Sequence, residues 1–147
     1  MTGTTTRRAI PSRRSETKST VAAIVVAAVS GSVSCLIIAS IAKAAGVPHN
    51  FEPLSAFPAL VVVGVIAGAL GWNIVRRRSA DPRRQLTRLL PAVLLLSFIP
   101  DIVVGATKAL PHTTWAGVAA LMVMHLAVAA CAVPSYRRFL PATTAWA

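Results

Sequence analysis

Two residues stand out chemically: Asp101 lies deep inside one long apolar stretch and His125 deep inside the next. Ionisable groups in such positions are costly, and they turn toward a protein interior or a wet cavity. Pro100 sharpens the placement, because a helix passing through it loses the hydrogen bond to the Leu96 carbonyl and leaves an acceptor beside Asp101. With the intervening connection centred on Thr113, Asp101 lies twelve residues before it and His125 twelve after. Two helices running in opposite directions at about 1.5 Å per residue bring them level. The same-face neighbours of Asp101 are Ser97 and Gly105, which makes that stripe inward-facing, whereas those of His125 (Leu121, Met122 and Ala129) are less decisive. Such a pair either exchanges a proton or fixes the orientation of two helices, and the sequence leaves both open.

Other chemistry finds less support. A nucleophilic triad needs a third partner for the Asp/His pair, and none is placed to supply it. A haem would want His or Met from facing segments, and the apolar interior holds a single His beside Met122 and Met124. His49, Glu52 and His112 fall in connections, without the spacing of a metal site. Cys35 and Cys131 lie in apolar runs, lack a CxxC spacing, and read as small packing residues. No catalytic, cofactor-binding or metal-ligating residue is therefore expected, and the chain reads as a non-enzyme without a cofactor.

The elements that must position the pair are membrane spans. Of the 147 residues 55% are apolar and 13% charged, with a mean hydropathy of +0.68, well beyond a soluble domain of this size. Val21 to Ala42 is 22 residues without a charge, long enough for the roughly 30 Å hydrocarbon layer. Further spans are expected over about 55–75, 91–110 and 114–133. Before them, residues 1–20 read as a disordered basic tail. Between the second and third, Asp81 and Pro82 look like the cap and first residue of a short basic surface helix, with Pro91 bending the chain into the bilayer. Pro134 closes the last span, and 135–147 form a short C-terminal tail. The expected fold is an all-α integral membrane protein, four helices over 21–134 in an antiparallel bundle.

Charge sets the orientation. Thirteen of the fifteen Lys and Arg residues lie in the N-terminal tail, between Arg76 and Arg88, or at Arg137 and Arg138; only Lys43 and Lys108 lie on the other side. The positive-inside rule then places both termini in the cytoplasm of a multi-pass plasma-membrane protein, with Trp72 and Tyr136 near the inner interface and Trp115 near the outer. The net charge of +11 comes from these confined stretches rather than a folded basic face with aromatic partners, so no nucleic acid is expected. Ala42-Lys43-Ala44 resembles a cleavage site, but the apolar run exceeds the 7 to 15 residues, roughly, of a signal h-region, so the first span is expected to stay uncleaved after Ala44.

Close helix approach in lipid requires small residues. The second span carries Gly64 and Gly68 at GxxxG spacing and the first carries Ala27 and Gly31; these serve contacts within the bundle or a homo-oligomer seam. Arg76, Arg77, Arg78, Arg83, Arg84 and Arg88 set topology and also suit anionic lipid headgroups of the bilayer, at about 1 kcal/mol per charge near the surface.

Arg76-Arg77-Arg78, Pro82-Arg83-Arg84, Ser97-Phe98-Ile99-Pro100-Asp101 and Leu121-Met122-Val123-Met124-His125 together resemble a family of four-span integral membrane proteins of unknown function from high-GC Gram-positive (actinobacterial) bacteria, over roughly residues 20 to 140. The resemblance implies a plasma-membrane location and no activity. The leading expectation is a structural, accessory or interaction subunit, with a possible membrane protein partner, because polar residues inside the spans are too few to line a permeation path. The alternative is a small proton-linked transporter with Asp101 as the titrating carboxylate.

Overall fold

Apolar runs of this length can satisfy their backbone groups in a hydrocarbon phase only by coiling into helices. The computed structural model describes residues 13–48 and 57–141. Within them the chain forms α1 (Arg13–Ala44), α2 (Phe57–Arg78), α3 (Pro82–Thr107) and α4 (Trp115–Phe139). All four are long and apolar enough to cross a membrane. Val63 and Leu95, each 66% exposed, typify outward apolar faces suited to contact with lipid.

The helix ends follow from local chemistry. Gly46 takes φ 94° after α1, where its amide bonds the Lys43 carbonyl and the Val47 amide bonds the Ala42 carbonyl. That is a Schellman cap, and a side chain at Gly46 would strain it. Asp81 caps α3 by accepting from the Arg84 amide at 3.1 Å, ahead of Pro82, whose absent N–H costs nothing there. Thr114 caps α4 by accepting from the Gly117 amide at 3.1 Å.

Three boundaries differ from the sequence reading. Residues 13–20, expected as tail, continue α1. They gain a partner there: Glu16 sits 3.0 Å from Arg77 and 3.8 Å from Arg76 at the end of α2. Secondly, the surface helix and third span are one helix through Pro91. A proline removes one bond, to the Thr87 carbonyl, and the helical residues on both sides outweigh it in a medium that offers no other backbone partner. Thirdly, α4 passes Pro134 and runs to Phe139, because Tyr136 and Leu140 are buried beyond it.

Packing is uneven. On α1 a stripe of buried small residues at every fourth place, Ala23, Ala27, Gly31, Cys35 and Ala39, is followed by buried Ala42, and α1 makes its most extensive contact with α4. A Cβ on Gly31 would stand 3.4 Å from Val61 of α2 and 3.6 Å from Val128 of α4, so the backbones approach where side-chain bulk is missing. α2 buries one stripe: Val61, Val65, Ala69 and Trp72. α3 buries only Pro82 and Leu86 at one end and Asp101 and Gly105 toward the other. Its middle stands off, leaving a cleft of about 370 Å³ between α2, α3 and α4.

The two glycines of the α2 motif differ. Gly68 faces Tyr136, whose hydroxyl would lie 3.2 Å from an added Cβ, while nothing lies within 4 Å of one at Gly64. At Gly105 the space is tightest, with Trp115 at 2.9 Å and the stiff, buried Val118 at 3.0 Å. Gly105→Leu is therefore expected to destabilise the protein by about 1–3 kcal/mol through overpacking, whereas Gly64→Leu leaves stability unchanged. Thermal unfolding in lipid nanodiscs checks both, and equal midpoints for the two variants would refute the close α3–α4 contact.

Candidate functional site

Gly105 is what lets α3 and α4 close. It lies one turn beyond Asp101 on the same face, and both are buried. The connection then reverses the chain through two left-handed residues, Lys108 at φ 48° and His112 at φ 59°. Those conformations cost non-glycine residues energy and are held here by the surrounding structure. The reversal places His125 against Asp101, with Nδ1 3.1 Å from Oδ2.

The contact has the distance of an ion pair without its direction. Nδ1 also lies 3.0 Å from the Leu121 carbonyl of its own helix, and Oδ2 is buried with no directed hydrogen bond. Two proton arrangements fit these positions. In one, Nδ1–H donates along α4 to Leu121 and the carboxyl carries its own proton. In the other, a small rotation of the imidazole brings a protonated ring's Nδ1–H onto an ionised Oδ2, a charge-assisted bond. Nδ1–H thus has two acceptors within reach of a ring rotation, the Leu121 carbonyl and Asp101 Oδ2, and passing from the first arrangement to the second also transfers the carboxyl proton to the other ring nitrogen.

The surroundings differ for the two partners. The Asp101 side chain is 11% exposed and that of His125 39% exposed. His125 lines the cleft with Ser97, and Phe98 meets its ring edge to face, with centroids 6.2 Å apart. Ser97 is satisfied locally, donating to the Leu94 carbonyl at 2.6 Å. The pair therefore sits at the deep edge of an apolar cleft: the carboxyl is held inside and the imidazole opens outward.

The remaining expected residues separate into groups. Ala27 and Gly31 are buried in the α1 stripe. Gly64 and Gly68 both line the cleft. Of the arginines, Arg76 and Arg77 turn toward Glu16, and Arg83 lines a second cavity with Arg137, while Arg78, Arg84 and Arg88 line neither cavity; all but Arg76 are exposed. His49 and Glu52 lie outside the described residues, among which no cluster of three metal-ligating side chains occurs.

Sequence reasoning missed the aromatic clasp. Tyr136, expected at the interface, is buried and donates its hydroxyl to the Val65 carbonyl of α2 at 2.6 Å. Trp72 donates Nε1 to the Leu140 carbonyl at 2.8 Å, and the two rings lie 5.6 Å apart. The signal was available: each is an aromatic with one polar atom, set in an apolar helix that offers carbonyls nearby.

Residues 13–142 match the family of unknown function DUF6069, and the chain belongs to that family. No curated protein and no solved structure matches it.

The Asp101–His125 contact makes a quantitative expectation. Asp101→Asn and His125→Gln should be non-additive in unfolding free energy by about 0.5–3 kcal/mol, because each single change leaves the other member without its partner in a low-dielectric site. A double-mutant cycle in lipid measures this, and strict additivity would show that proximity carries no coupling.

Proposed function

We propose that this member of a family of unknown function is a non-enzymatic accessory or interaction subunit of the plasma membrane, a four-span antiparallel bundle with both termini and the α2–α3 connection in the cytoplasm. The observation that carries the reading is the uneven packing: a tight α1–α4 pair bearing α2, and an α3 that touches its neighbours mainly toward its ends. That spacing leaves the face of α3 that would otherwise pack on the bundle available to a lateral partner. Here an apolar face stays open at mid-membrane, and its lining is aliphatic apart from Cys35, Ser97, Met124, His125 and Tyr136. Such a lining suits a lateral apolar partner better than a hydrated path.

Two facts support the alternating direction of the helices. The start of α1 meets the end of α2 at Glu16 and Arg77, and Gly105 before the last connection meets Trp115 and Val118 just after it. The cytoplasmic placement of the termini rests on the charge asymmetry. A proton-linked transporter is the second reading, favoured by the 3.1 Å Asp101–His125 contact at the edge of the cleft.

Two measurements decide. Reporters fused after Ala147 or within 79–81 should be cytoplasmic and one inserted at Asn50 external; an extracytoplasmic C-terminus would overturn the topology. In infrared difference spectra recorded in lipid, the accessory reading expects the Asp101 carboxyl stretch to stay silent between about pH 5 and 9, the range over which a proton carrier would have to titrate. A band that appears there and vanishes in Asp101→Asn would favour the transporter instead.

A further inference from the structure

A second cavity, also about 370 Å³, is lined by Trp72, Arg83, Leu86, Thr87, Arg137 and Pro141. It lies end to end with the apolar cleft, because each of three helices carries the lining from one to the other in a single turn. On α2 the step is Gly68 to Trp72, on α3 Leu90 to Leu86, and on α4 Val133 to Arg137. The Trp72–Tyr136 ring pair stands at the junction. The whole is a channel open to the side, apolar for most of its length and bounded at one end by Arg83 and Arg137.

We propose that this face is a binding site for one anionic phospholipid, its phosphate held between Arg83 and Arg137 and one acyl chain laid along the cleft toward Ser97 and His125. The proposal rests on the open lateral face described above, and names its occupant. It does not depend on which leaflet the arginines face.

Dimensions favour a chain over a helix. The cleft lining on α4 runs from Leu121 to Tyr136, roughly 22 Å of helix at 1.5 Å per residue. That exceeds the roughly 15 Å of hydrocarbon in one leaflet, so a chain anchored at the arginines can lie along it throughout. A transmembrane helix, about 10 Å across, would have to rest against the rim of a cleft of about 370 Å³, whereas a single chain can lie within it. Charge agrees as well: among the described residues, the lining of the end cavity includes two arginines and no acidic side chain. Guanidinium forks match a phosphodiester bidentately, and the Trp72 ring beside them suits the headgroup level.

The test uses the full chain in nanodiscs of phosphatidylcholine doped with phosphatidylglycerol, extracted gently and weighed by native mass spectrometry. One phosphatidylglycerol per chain should be retained in preference to phosphatidylcholine. Arg83→Gln and Arg137→Gln should each weaken retention about fivefold, while Arg78→Gln, which removes the same charge from an exposed position outside both cavities, should not. Gly64→Leu, which fills the cleft without touching the arginines, should weaken it too while leaving the unfolding midpoint in place. Equal retention of phosphatidylcholine, or an Arg78→Gln effect as large as that of Arg83→Gln, would reduce the site to diffuse surface charge and overturn it. Displacement by glycerol phosphate alone, with Gly64→Leu inert, would show a headgroup site without a chain. A cross-link from Val93→Cys to a polypeptide would put a protein in the cleft. Misplaced topology reporters with phosphatidylglycerol still retained would overturn the orientation and leave the lipid site standing.

Discussion

Helices in hydrocarbon gain nothing from hiding apolar surface from one another, since lipid tails are equally apolar; they associate where their backbones can come close and pack densely. In this chain that condition is met along one line, the Ala23, Ala27, Gly31, Cys35 and Ala39 stripe of α1. At its smallest member, Gly31, an added Cβ would meet Val61 of α2 and Val128 of α4 together, so a single face of α1 serves two neighbours. Ser34 adds a contact across the same seam, with its hydroxyl 3.6 Å from the Cys131 thiol. The positions of α2 and α4 follow from this seam, and the cleft follows from what it leaves out.

What it leaves out is α3. That helix has no comparable stripe, and its prolines at 91 and 100 remove two internal hydrogen bonds. It is anchored instead near its ends, by Pro82 and Leu86 at one and by Asp101 and Gly105 toward the other. Asp101 is thus more than an ionisable residue inside a span. It belongs to the α3–α4 anchor, which explains why its carboxyl is buried although the helix carrying it is largely exposed. The ion pairs of Glu16, by contrast, are partly solvated and contribute at most about 1 kcal/mol each; they matter for where α1 begins rather than for what holds the bundle.

The spans were legible because hydropathy and length leave few alternatives in a membrane. The depth of Asp101 and His125 was legible for the same reason: a short connection and a fixed rise per residue equate distances from the turn. Azimuth was harder. His125 has neighbours on its own helix that point to no single side, and its direction is set by the closeness that Gly105 permits, a contact between helices that no local pattern encodes. The GxxxG pair shows the same limit, since Gly68 meets Tyr136 while Gly64, one turn away on the same stripe, meets open space. Pro91 and Pro134 were read as boundaries on rules learned in water. In lipid an interrupted helix has nowhere else to send its carbonyls, so the helix continues.

Tyr136 ties the two halves of the molecule's chemistry together. Its hydroxyl takes a second lone pair of the Val65 carbonyl, already an acceptor within α2, and so clamps α2 to α4 at the depth where the apolar cleft ends. Trp72, about two turns further along α2, reaches Leu140 past the end of α4 and holds the chain beside Arg137. The ring pair therefore keeps α2 and α4 together at the basic end, while Gly105 keeps α3 and α4 together at the Asp101 end. Between two such fixed points the separation of α2 from α3 is left to whatever lies between them. A flexible chain could fill that gap without moving either anchor. Because His125 lines the same gap, whatever fills it also lies against the imidazole of the Asp101 pair.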